Sequence, residues 1–69
     1  MSQKVSPLVS SAVSWMYGHK TLLSQGYSGE DPTFSKAKAI FIQDMRKREF
    51  ANETEESLMQ AFEDALNMV

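Results

Sequence analysis

Apolar positions recur along this chain at steps of three and four, the spacing that gathers side chains on one face of a helix. Turning about 100° per residue from Pro7 to Gln25, the residues Leu8, Val9, Ala12, Val13, Trp15, Met16, Leu22 and Leu23 share one arc, with Tyr17 at its edge. Ser6 followed by Pro7 is a start signal, because a hydroxyl caps free N–H groups and proline at the first helical position forfeits no hydrogen bond. Gly26 is the expected stop, since glycine accepts the left-handed conformation that ends many helices. Gly18 falls on the reverse face with Ser10, Ser11, Ser14, Thr21 and Gln25, so the stripe predicts one continuous helix over residues 7–25. That uncharged reverse face reads as a solvated surface.

The next stretch, GYSGEDPT, carries the turn-formers Gly26, Gly29 and Pro32, and predicts a loop over residues 26–31. Asp31 before Pro32 repeats the cap-and-proline signal. Phe34, Ala37, Phe41 and Met45 then step by three and four with Ile42 beside them, predicting a helix over 32–50 that leaves Ile40 and Phe50 off the stripe. A third helix is predicted over 54–68, capped by Asn52 or Thr54. On it Leu58, Met59, Ala61, Phe62, Ala65, Leu66 and Val69 oppose Glu56, Gln60, Glu63, Asp64 and Asn67. The expectation is an all-α fold: one domain over residues 1–69, a small three-helix bundle.

Length changes this picture. A chain of 69 residues buries a smaller share of its surface than a longer one, and small domains compensate with disulfides, metals, close packing or association. With no cysteine and one histidine, neither a disulfide nor a zinc cluster is available, so no metal and no cofactor is expected. Three apolar faces, each about half a helix circumference, are generous for so short a bundle. The surplus predicts a homodimer through the first helix, with Trp15, Met16, His19, Leu22 and Leu23 at the partner interface.

Candidate chemistry alters little. His19 follows Trp15 by four residues and lies within the apolar arc. A general base there would need an orienting partner and a reacting group within reach, yet the adjoining sequence offers only Lys20 and hydroxyls. No phosphate-binding glycine loop and no nucleophile elbow is present. No catalytic residue is assigned, and the chain is not expected to be an enzyme. A net charge of −2 supplies no basic field for nucleic acid. The cluster Arg46, Lys47 and Arg48 keeps a helix-turn-helix-like nucleic-acid binder as the alternative, but the carboxylates of the last helix would face the phosphates, and Asp44 can pair with Arg48.

No apolar run reaches the length of a membrane span, and the start lacks a secretory signal, so a cytoplasmic protein without membrane contact is expected. The initial Met and the helical ending lead to the expectation of a complete small protein. Its expected function is non-enzymatic: a regulatory, adaptor or inhibitor module that occupies a surface of another protein.

Overall fold

The computed structural model describes residues 6–69, so the first five residues of the expected domain lie outside it. Among the described residues there are four helices and no strand: α1 (Pro7–Tyr17), α2 (Lys20–Tyr27), α3 (Ser35–Arg46) and α4 (Glu55–Leu66). The all-helical class stands. The count of three does not, because the predicted 7–25 helix is broken at Gly18 and His19.

Hydrogen bonding explains the break. In a continuous helix the carbonyl of Trp15 would accept the backbone N–H of His19. Here that carbonyl accepts both the imidazole Nδ1–H of His19 at 2.7 Å and the Gly18 backbone N–H at 3.1 Å, and the His19 backbone N–H turns to Met16 O at 3.1 Å. A carbonyl only accepts, so Nδ1 carries the proton. The side chain thus caps α1 in place of its own backbone, and His19 adopts φ −128°, ψ 38°, outside the helical region. The strip Ser10, Ser14 and Gly18 is exposed, as expected.

The other boundaries follow local chemistry. Ser6 caps α1 by accepting the N–H of Val9, and Thr54 caps α4 by accepting that of Ser57 at 3.0 Å. Gly26 does not end a helix. It lies inside α2, and a Cβ there would clash with the edge of the Phe34 ring. The left-handed glycine is Gly29, at φ 89°. α3 starts three residues later than predicted, behind Phe34 at φ 56°, a conformation that costs a non-glycine residue about 1–3 kcal/mol. Its ring meets Tyr27 and Phe62 edge-on, which holds that backbone in place. Asp31 still caps α3, accepting the Lys36 N–H at 3.1 Å.

α4 is central: α1 packs on it most extensively and α3 packs beside it, while α2 touches α1 and α3. Ala12, Ala61 and Ala65 are buried and let the backbones approach. Trp15, Phe41 and Phe62 form an edge-to-face aromatic cluster at the centre. α3 ends at Arg46, not at residue 50, and the turn beyond it carries Phe50 into the core. Met59 and Val69, expected on the packed side, are exposed.

Candidate functional site

The α1–α2 corner concentrates the side chains that the sequence singled out, and it has two different sides. On the inner side, Trp15 donates its indole N–H to Asp44 Oδ2 at 2.9 Å, across 29 positions of sequence. His19 stacks on the indole with ring centroids 4.0 Å apart and planes 14° from parallel. Its Nε2 lies 4.0 Å from the same Asp44 oxygen. With Nδ1 committed to the Trp15 carbonyl, neutral His19 turns a lone pair toward a carboxylate, and protonated His19 would turn an N–H to it. Asp44 is thus engaged by Trp15 and does not form the ion pair with Arg48 that the sequence suggested.

The carboxylate that a histidine base requires is therefore near His19, but neither of the two principal concavities includes that residue. One is lined by α1 residues Pro7, Leu8 and Val9 against Phe50 and α4. The other, on the outer side of the corner, is the more apolar.

This outer groove has a volume of about 470 Å³ and is lined by Met16, Tyr17, Lys20, Leu23, Tyr27, Leu66 and Val69. It exists because the chain turns at His19: α1 brings Met16 and Tyr17, α2 brings Lys20, Leu23 and Tyr27, and the end of α4 closes the third wall. Met16 and Leu23 are buried and form its floor, whereas Tyr17 and Tyr27 stand 59% and 62% exposed at its lips. The Lys20 ammonium sits 5.7 Å from the centre of the Tyr17 ring, in cation–π range. Lys20 is the one charged side chain among the lining residues.

The expected interface residues are thereby divided. Trp15, Met16 and Leu23 are at most 3% exposed in the chain's own core, and so present little to a partner. Leu22 is half-buried against that core, and His19 is half-buried beside Asp44. Tyr17, Tyr27 and Lys20, which the sequence reading did not select, hold the accessible surface. Tyr17 at the edge of the stripe was the one available signal, because an edge position keeps one flank in solvent. Arg46 ends α3 and Lys47 and Arg48 follow on the turn after it; all three are exposed, and none of them forms an ion pair among the described residues.

Among the described residues no group of three His, Cys, Asp or Glu side chains is placed to hold a metal ion, and no helix is long and apolar enough to cross a membrane. Comparison with models of known families, with curated proteins and with solved structures returns no match to this chain.

Proposed function

We propose that this chain is a non-enzymatic protein-interaction module, a small regulator, adaptor or inhibitor that acts by occupying a surface of another protein through its Tyr17–Tyr27 groove. The observation that carries the reading is the pair of tyrosines, more than half exposed, flanking an apolar floor. Tyrosine combines a large apolar ring with a polar tip, which suits a surface that is wet when free and dry when bound. Assembly through the first helix belongs to the same reading, since the last turn of α1 supplies Met16 and Tyr17 to the groove. His19 in this reading is a structural cap.

Affinity capture from cells that produce the protein tests it. The tyrosine variant Tyr17→Ser should retain its fold and lose most of the captured protein, whereas replacing Arg46, Lys47 and Arg48 by alanine should leave capture intact. Equal capture by the tyrosine variant and the unaltered chain would remove the groove from the function. The second reading, nucleic-acid binding by Arg46, Lys47 and Arg48, is favoured only by their exposure and lack of ion pairs. It requires binding to mixed-sequence DNA at low salt that disappears with the three alanines.

A further inference from the structure

Five large apolar side chains are exposed among the described residues: Tyr17, Tyr27, Met59, Met68 and Val69. Tyr17, Tyr27 and Val69 line the groove, and Met68 adjoins Val69. Met59 alone stands apart, 38% exposed in the first half of α4. Of the residues three and four positions away, Phe62 is buried and Glu55, Glu56 and Glu63 are exposed, so Met59 is an apolar knob flanked by carboxylates. Glu63 is held by Lys38 at 3.0 Å. Glu55 and Glu56 have no ion-pair partner among the described residues, and neither has Lys20. The groove thus offers an apolar floor with one free cation at its lip, and the knob offers an unbranched thioether with two free anions beside it.

We infer that the occupant of the groove is Met59 of a second copy of this chain, with Glu55 and Glu56 of that copy facing Lys20; this rests on reading the groove as a protein-contact surface. The placement of the two features allows the pairing to close. Met59 and Leu66, a wall of the groove, are seven residues apart on α4, which is two turns and roughly 10 Å along the same side of the helix. Met59 and this wall of the groove therefore share one side of α4, and the inferred dimer has a two-fold axis between them, each copy inserting its Met59 into the other. Glu63, which stands between Met59 and Leu66 along α4, is already paired with Lys38 at 3.0 Å. Glu55 and Glu56 also complement the positive end of α4, but that local role does not account for an exposed methionine between them. A methionine suits this seat, because its flexible chain adapts to a groove larger than itself.

Sedimentation velocity of the full chain across a concentration series, at low and at high salt, tests the pairing. The expected result is a reversible dimer, weaker at high salt. Lys20→Glu should weaken it roughly tenfold or more, as should Glu55→Lys combined with Glu56→Lys, and all three changes in one chain should restore it. Met59→Ser should also weaken it. These positions are exposed, and far-UV circular dichroism with thermal melting verifies that each variant is folded. A monomer at every concentration, or a dimer indifferent to the charge reversals, would overturn the inference. A monomer whose tyrosine groove still captures another protein would overturn the self-pairing alone and leave the interaction reading in place.

Discussion

The two sides of the α1–α2 corner differ in whether their polar and apolar groups already have partners. Inside, the Trp15 indole N–H, the Trp15 carbonyl, the His19 ring and the Asp44 carboxylate answer one another within one small cluster. Outside, two tyrosine rings and a lysine face solvent around an apolar floor. The residues that look most like chemistry in the sequence are thus those the fold has used for itself. Those left for a partner are ordinary surface types, made into a site by the turn at His19. A rare residue type marks a position worth locating; its saturation or freedom in the fold decides its role.

Breaking the inner side should have the largest effect. Trp15→Ala removes a side chain 3% exposed, together with its stacking and its bond to Asp44. It should lower stability by about 3–5 kcal/mol, a large part of what a domain of this size has. Tyr17→Ser, at the outer lip, should by contrast stay within about 0.5 kcal/mol of the unaltered chain. Urea unfolding of the two variants side by side measures the contrast. A smaller loss is expected from Asp44→Ala, which strips the indole N–H of its acceptor and should cost about 1–3 kcal/mol, with Asp44→Asn regaining most of it because an amide oxygen still accepts.

The outer wall can be probed through Gly26. Gly26→Ala presses a methyl group against the Phe34 ring; overpacking should exceed the gain in helix propensity and leave a net loss of about 1–2 kcal/mol, read as a lowered melting temperature.

The smallest effect is local. The carboxyl of Asp31 is held below its ordinary value of 3.8, chiefly by the backbone N–H of Lys36; desolvation opposes this, while the Ser35 N–H, the Thr33 hydroxyl and the Lys36 charge lower it further. A lowered folded-state value means that its cap on α3 is fully present above the ordinary value and is lost as pH falls through the lowered one. The Lys36 amide proton, followed by NMR during acid titration, should shift through that window.

How much of this was legible differs from residue to residue. The caps at Ser6 and Thr54 and the core positions Phe41 and Phe62 could be read from spacing and residue type, because capping and helical period act within a few positions of the chain. Asp31 was legible as a cap, but not the three-residue delay of α3 behind a left-handed Phe34, which depends on Tyr27, Gly26 and Phe62 together. The break at Gly18 and His19 left no mark on the apolar stripe. There the Trp15 carbonyl bonds the His19 ring and the Gly18 N–H and not the His19 N–H, and a helical wheel does not represent that exchange.

The sequence by itself determined an all-helical chain, most of the side chains that fill its interior and the chemistry that caps two of its helices, since each follows from contacts between residues a few places apart. The tertiary structure decided the rest. It turned Asp44 from a partner of Arg48 into the acceptor of Trp15, left Met59 outside the core, and made a groove of Tyr17, Lys20, Tyr27 and Leu66. The physical reason is distance along the chain: the Trp15–Asp44 bond and the closure of the groove by α4 join residues separated by tens of positions, and only packing selects among such pairings.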